Sequence, residues 1–304
     1  MIDMAMKFGL PESVNSALLA TSAKLNSLGV KDFLGKELSD PATFLIGRPG
    51  KLFRPALLFM GAMAINANPL DYVDLAVAVE LLHNSSLMHD DVIDGDDTRR
   101  GGIAVHKKYG RHAAIIAGDA LISKAIQQAC LYGAPVVEYV SKASMEMCDG
   151  EMIDYGCQKD HIVPDLAKYL KIIELKSASL IGVSVAAPAV HRGLPVSKDL
   201  ESFGRDMGMA FQIRDDVIDW LGLDIKDSLP SSGDSAAFRP NVISSLSSDA
   251  GIGRENALAE AVKLNNSYID RAVSCANGIG ADDLASYAGI VRLAAADVAR
   301  AKMR

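Results

Sequence analysis

Cysteine is scarce in this chain, and what there is of it is scattered. The four residues, Cys130, Cys148, Cys157 and Cys275, form no Cys-x-x-Cys pair and have no histidine cluster beside them. That excludes a zinc ribbon and a disulfide framework, and reduced, mostly buried thiols are expected. Aromatic residues make up only 6% of the 304 positions, and alternating apolar and polar runs are few, so a β-sandwich or barrel is not expected. No apolar run reads as reaching the ~20 residues that span a bilayer. Met1 to Leu10 lacks the basic stretch and apolar core of a secretion signal. A basic stripe is absent too: Lys and Arg number 31 against 38 Asp and Glu, for a net charge of -7, which argues against a nucleic-acid partner. A cytoplasmic protein that is not integral to a membrane is the expectation.

What the chain has in abundance is helix-forming sequence. Hydrophobic residues are 49% of the total and recur at three- and four-residue spacing, as Leu75, Val79 and Leu82 do, with Leu81, Ser85 and Met88 beside them. The pattern predicts helices near 12–29, 51–66, 71–94, 112–130, 135–156, 165–184, 198–221, 254–276 and 281–303, with breaks at Gly and Pro clusters. No clear linker divides them. An all-α fold, one domain over 1–304, follows. Residues 223–248, rich in Ser, Asp and Pro, read as a loop.

Two identical carboxylate boxes stand out. Asp90-Asp91-Val92-Ile93-Asp94 is repeated as Asp215-Asp216-Val217-Ile218-Asp219. On a helix the first and last Asp of each box are i and i+4, on one face and about 6 Å apart along the axis. Like charges at that spacing weaken a helix, so the arrangement makes sense around a cation. Hard oxygen donors point to Mg²⁺, which completes its shell with water and phosphate oxygens. Both boxes end apolar helical sequence, a poor place for carboxylates that serve only solubility. Were the two helices to face each other, the boxes would form a two-sided metal clamp.

Positive charge is gathered near them. Lys51 and Arg54, three apart at a predicted helix start, would point the same way. His83 lies two turns before Asp90, Arg99 and Arg100 follow the first box, and Lys176 lies farther on. Arginine binds phosphate oxygens through a planar fork and lysine as a point charge. The set describes two anion sites, one served by metal and one by basic side chains.

In order along the chain these motifs are Gly50–Pro55 (GKxxRP), Glu80–His83 (ExxH), the first box with Arg99–Gly101 behind it, Ala117-Gly118-Asp119, Gly150-Glu151 with Asp154, Lys176-Ser177, and Phe211–Asp219 (FQxxDDxxD). The ordered set resembles the trans-isoprenyl diphosphate synthases, or polyprenyl synthetases, of the geranylgeranyl or longer-chain type. The resemblance implies about ten or more long helices around a central cavity, the isoprenoid synthase type I fold. It implies Mg-dependent, head-to-tail condensation of isopentenyl diphosphate with an allylic diphosphate, and a homodimer. Lys51, Arg54, His83 and Arg100 would bind isopentenyl diphosphate. Asp90, Asp94 and Asp215 would hold two or three Mg²⁺ ions bridging the allylic diphosphate, supported by Asp91, Asp216 and Asp219. Arg99 and Lys176 would grip the same diphosphate, with Ser177, Phe211 and Gln212 beside it. A class I terpene cyclase is disfavoured by Lys51, Arg54 and the second full box. A non-catalytic or weakly active subunit of a heteromeric synthase is the other alternative.

The chain departs from the family pattern after the second box. Two Gly-Lys pairs are expected there. Their places fall at Ser228-Leu229 and Phe238-Arg239, so the first lysine is lost and Arg239 stands in for the second, with Lys226 or Arg304 as candidates for rescue. Glu151 replaces a Gln and Ser177 a Thr. In the family, bulky residues four and five positions before the first Asp close the tail pocket. Here these are Ser86 and Ser85, with Leu82 and Leu81 one turn deeper, which implies a product of C20 or longer.

Overall fold

Helix is what the chain forms almost throughout, and the reasons are local. The computed structural model describes residues 9–48, 50–222 and 239–293. The elements are α1 (Glu12–Asn26), α2 (Lys36–Phe44), α3 (Phe53–Ala64), α4 (Val73–Asp94), a hairpin of β1 (Thr98–Arg99) and β2 (Gly102–Ile103), α5 (Val105–Tyr109), α6 (Arg111–Ala129) and α7 (Ala134–Lys159). Then come α8 (Leu166–Ile173), a π-helical turn (Glu174–Ala178), α9 (Ser179–His191), α10 (Ser197–Trp220), α11 (Val242–Ala250), α12 (Arg254–Gly278) and α13 (Asp282–Ala288). The described residues fall into two compact units. One holds 9–141 and 187–194; the other holds 142–186, 195–222 and 239–293.

The first unit is organised on α4. Its residues from Leu75 to Leu82 are all buried, so this helix is a core element on every side rather than an amphipathic surface one. It stops at Gly95, whose φ of +71° is the left-handed conformation that ends helices at least cost to glycine. Its main neighbour is α6, which turns the small stripe Ala114, Ala117, Gly118, Leu121 and Ala125 inward. Gly118 is needed there. A Cβ at this position would lie 2.2 Å from Nε2 of His89, and the Gly118 carbonyl accepts the Ser85 hydroxyl at 2.9 Å.

The second unit is organised on α10 against α12. Asn265, fully buried on α12, closes the contact: its amide donates to the carbonyls of Ala210 (2.7 Å) and Val291 (3.2 Å), and its oxygen accepts the amide of Leu293. The π-helical turn is squeezed between two glycines. A Cβ at Gly150 would meet the Lys176 nitrogen at 2.6 Å, and one at Gly208 would meet the Ala178 Cα at 2.5 Å. Glycine lets both helices come up against the backbone of the bulge.

Several expectations need correction. The loop expected over 223–248 gives way to α11 at Val242, because Asn241 caps it by accepting the Ser244 amide while the Ser244 hydroxyl accepts the Asn241 amide. The preceding 223–238, with Lys226, Ser228, Leu229 and Phe238, lies outside the described residues, as does Arg304. The helix expected over 165–184 is interrupted by the π turn and then runs on to His191; of the one expected over 281–303, Asp282–Ala288 is α-helix and Gly289–Val291 a 3₁₀ turn, while 294–303 lies outside the described residues. The stretch Leu166–His191 is long and apolar enough to cross a bilayer, with a mean hydropathy of 1.4 in its most apolar window, yet 83% of that window is buried within the protein. The thiols are mostly not buried: Cys157 is, but Cys130 and Cys148 are exposed and Cys275 is part-exposed.

Replacing Gly208 by Ala tests the squeezed turn. Alanine gains about 1 kcal/mol of helix propensity, but a backbone Cα cannot step aside, and overpacking costs about 1–3 kcal/mol. With the added Cβ at 2.5 Å from the Ala178 Cα the cost lies at the upper end of that range, so Gly208→Ala is expected to lower the unfolding free energy by a net ~2 kcal/mol in urea denaturation. A variant as stable as the parent would contradict the close contact.

Candidate active site

The first box ends α4, and its three aspartates separate by rotation about the helix. Asp90 and Asp94 share one face and are part-exposed. Asp91 turns inward and is fully buried. There it meets Arg99, whose Nε donates to Oδ1 at 2.7 Å and whose Nη2 lies 2.5 Å from the same oxygen and 3.1 Å from Asp96 Oδ2. Burial pushes the Asp91 carboxyl up to about 6, against the pull of Arg99. The guanidinium at contact distance keeps it ionised at neutral pH.

The hairpin between Thr98 and Ile103 brings two arginines to this helix. Its turn, Arg100-Gly101, has positive φ at both residues (+52° and +69°), the two-residue turn that matches strand twist. The Arg100 side chain returns to α4. It donates to Asn84 Oδ1 at 3.0 Å and to the Arg48 carbonyl at 3.3 Å, and lies 3.6 Å from buried Glu80. Burial raises the Glu80 carboxyl, opposed by Arg100 and Arg54 and by hydrogen bonds from Asn84 and Arg100. Gly50 leaves room for this pair, since a Cβ there would meet Arg100 Nη2 at 3.0 Å and Glu80 Oε1 at 3.2 Å. A cavity of about 20 Å³, lined by Ser22, Asn26, Arg48, Glu80, Asn84 and Arg100 among others, opens beside them. His83, one turn on from Glu80, is held well below the usual histidine value by burial first and then by Arg54, Arg100 and Arg99. It is a neutral ring among cations.

Lys51 and Arg54 do not share a helix start. The helix begins at Phe53, and Leu52 before it has the left-handed φ of +47°, so helical spacing does not carry from one to the other; Lys51 is exposed and Arg54 part-buried. Ser85 is 2% exposed and bonded to Gly118, at the contact of α4 with α6, with Leu81 and Leu82 also buried. Ser86 is more open, its hydroxyl donating to the His83 carbonyl.

In the second unit the second box repeats the rotation. Asp215 is part-exposed and Asp219 exposed, i and i+4 on α10. Asp216 turns inward and accepts from three donors: the Tyr169 hydroxyl at 2.7 Å, the Val242 amide at 2.9 Å and the Gln212 amide at 3.1 Å. Burial raises its carboxyl, and these bonds oppose the shift. Tyr169 stays protonated, pushed well above the usual phenol value by burial and then by Asp216. The chain of bonds continues outward, for the Ser177 hydroxyl donates to Gln212 Oε1 at 3.0 Å. Lys176, on the π turn, lies 2.6 Å from Glu151 and 2.9 Å from Asp154. Arg214 lies 3.6 Å from Asp215. Phe211 is part-exposed and Arg239 exposed.

Among the described residues no three His, Cys, Asp or Glu side chains converge into a preformed metal cage. Two carboxylates on one helix face, without a third, fit Mg²⁺, which takes one or two carboxylates and fills its shell from water and substrate phosphate. Two partners were not read from the sequence. Arg48 carried no motif, and Tyr169 meets Asp216 from 47 residues away, a pairing that no local spacing marks.

Comparisons with known proteins identify the family. The polyprenyl synthetase family model matches residues 35–233. The chain belongs to the polyprenyl synthetase family. Geranylgeranyl diphosphate synthase of Methanosarcina mazei is 37% identical over 192 residues, 60% of this chain and 59% of that one. The short chain isoprenyl diphosphate synthase of Methanothermobacter thermautotrophicus is 31% identical over 259 residues, 79% of each chain. Among solved structures, polyprenyl synthase from Caulobacter crescentus, complexed with calcium and isoprenyl diphosphate, superposes with a TM-score of 0.77 at 25% identity, covering 93% of this chain and 98% of that one. The all-α fold and the membership among trans-prenyltransferases follow.

Tyr169→Phe removes one of the three donors on part-buried Asp216. A hydrogen bond to a charged group contributes about 1.5–3 kcal/mol, and that loss of unfolding free energy is expected in chemical denaturation. Full stability in the variant would show that Asp216 does not depend on the phenol.

Proposed function

We propose that this prenyltransferase is Mg²⁺-dependent and condenses isopentenyl diphosphate head-to-tail with an allylic diphosphate to give a product of C20 or longer. The observation that carries the reading is the common rotation of the two boxes. In each, the second aspartate turns inward to protein donors, and the first and last, at i and i+4, lie together on another face of the helix.

In this reading Asp90, Asp94, Asp215 and Asp219 hold the metal, with Asp91 and Asp216 fixing the helix faces. When bound, Mg²⁺ neutralises charge on the departing pyrophosphate. Arg99 and Lys176 add fixed positive charge to the same group, and Ser177, Phe211 and Gln212 orient it. Arg54, Arg100 and Lys51 bind the diphosphate of isopentenyl diphosphate through charge, and neutral His83 adds a hydrogen bond. The C1–O bond of the allylic diphosphate breaks to give pyrophosphate and an allylic cation, the double bond of isopentenyl diphosphate forms a new bond to that C1, and the proton lost from C2 of the isopentenyl unit passes to the released pyrophosphate. Electrostatic preorganisation is the main catalytic contribution of such a site. The calcium and isoprenyl diphosphate in the Caulobacter crescentus structure support a divalent ion, and the Methanosarcina mazei relative supports a C20 product. The small side chains of Ser85 and Ser86 support the same length. A single cytoplasmic domain that works as a homodimer completes the proposal.

The test is turnover of the purified chain with Mg²⁺, an allylic primer and isopentenyl diphosphate, followed by product chromatography. Products of C20 or longer are expected, with none after chelation of the metal by EDTA. Asp90→Ala is expected to lower kcat by about 10²–10³, the loss typical of removing one electrostatic stabiliser. Ser86→Phe, at the more open of the two serines, should shorten the product. Farnesyl diphosphate as sole product of the parent chain would overturn the length, and turnover undiminished by EDTA would overturn the metal.

A further inference from the structure

The hairpin that carries Arg99 and Arg100 is too small to hold itself. Its strands are two residues each, and isolated two-stranded ribbons are marginal even when longer. Its turn also places an arginine at φ +52°, a conformation that non-glycine side chains resist. Something outside the ribbon must fix it.

Arg48 is placed to do so. Its Nη1 donates to the carbonyl of Arg99 at 3.0 Å and to the carbonyl of Ile103 at 2.7 Å, one on each strand. Its own carbonyl accepts from Arg100 Nη1 at 3.3 Å, so residue 48 grips the hairpin through the side chain and receives it through the backbone. The guanidinium is itself held, with Cζ 4.3 Å from the centroid of the Phe44 ring. That ring is fixed edge-on to Tyr109 at 5.4 Å. The hairpin is shaped to admit it. A Cβ at Gly102 would lie 2.6 Å from Arg48 Cζ, so only glycine leaves space for the guanidinium to lie against the strand.

We propose that Arg48 is a positioning residue for substrate diphosphate, acting through the Arg99–Arg100 hairpin it clamps. The inference rests on the reading that Arg100 binds the diphosphate of isopentenyl diphosphate. Without Arg48 the turn loses its two cross-strand ties and residue 100 relaxes toward negative φ, carrying its side chain away from Asn84 and Glu80. Binding then weakens for the substrate that Arg100 holds, while Arg99, on the same hairpin, is kept in place by its own side-chain bonds to Asp91 and Asp96, and the other groups that ionise the allylic diphosphate stay on their helices. The expected signature is a raised KM with kcat largely kept.

The experiment compares the parent chain with Arg48→Met, Arg48→Lys and Gly102→Ala. Arg48→Met is expected to raise KM for isopentenyl diphosphate by about tenfold, as displacement of a positioning contact does, with kcat changed less than threefold and the thermal midpoint kept. Arg48→Lys should recover part of the loss, since lysine keeps the charge but not the fork or the stacking. Gly102→Ala should shift KM in the same direction by pushing the guanidinium out. Hydrogen exchange of amides 98–104 should quicken in Arg48→Met, a readout that needs no turnover. Unchanged exchange there would overturn the clamp whatever the activity. Quickened exchange with KM within twofold of the parent would overturn the link to substrate. An inactive parent chain would overturn the proposed reaction instead, and leaves the exchange result to decide the clamp alone.

Discussion

Everything at this site depends on where the second aspartate of each box goes. A carboxylate costs free energy to bury unless donors or a cation meet it, and Asp91, fully buried, and Asp216, part-buried, are both met. The solutions differ. Asp91 is answered by the guanidinium of Arg99, Asp216 by a phenol, a side-chain amide and a backbone amide. The consequence is the same, because fixing one residue of a helix fixes its rotation. With Asp91 turned in, Asp90 and Asp94 must share another face; with Asp216 turned in, so must Asp215 and Asp219.

The same two contacts govern the chain that follows each box. After Asp94 the backbone leaves the helix at Gly95, makes a short ribbon and returns Arg99 to Asp91. After Asp219 the chain comes back at Val242, whose amide, at the start of α11, donates to Asp216. Each box is thus tied to the segment downstream of it. Glycine makes the second arrangement geometrically attainable. Gly150 and Gly208 admit the π turn that presents Lys176 and Ser177, and π-helical turns recur where a helix must aim side chains at a site.

How much of this was legible in the sequence follows from which signals are local. The boxes and the long helices were readable, since periodicity and identical Asp spacing are short-range. So was the gathering of Arg99 and Arg100 behind the first box. The start of α11 was readable in principle from Asn241 and Ser244, a capping pair hidden by the Ser-rich composition around it. The break between Lys51 and Arg54 was not, because a leucine at φ +47° carries no mark of its conformation. Arg48 and Tyr169 escaped for another reason: each acts on a partner far along the chain, the hairpin 51 residues on and Asp216 47 residues on. A single sequence does not encode such pairs as a pattern.

Charge in the first unit follows from the same burial. Arg54, Arg99 and Arg100 surround His83, and burial and their combined field hold its ring neutral. A protonated His83 would have added a fourth cation beside three that cannot lose theirs. Neutrality lets it accept or donate a single directed hydrogen bond while the arginines supply the charge. Glu80 balances the set from below: burial raises its carboxyl, yet Arg100 and Arg54 and two hydrogen bonds act to keep it charged. Its position under Arg100, with Asn84 beside it, holds the guanidinium by its donors. A guanidinium oriented before an anion arrives loses little freedom when it binds. Orientation therefore comes from buried neutral and acidic groups on α4, and affinity from the arginines they aim.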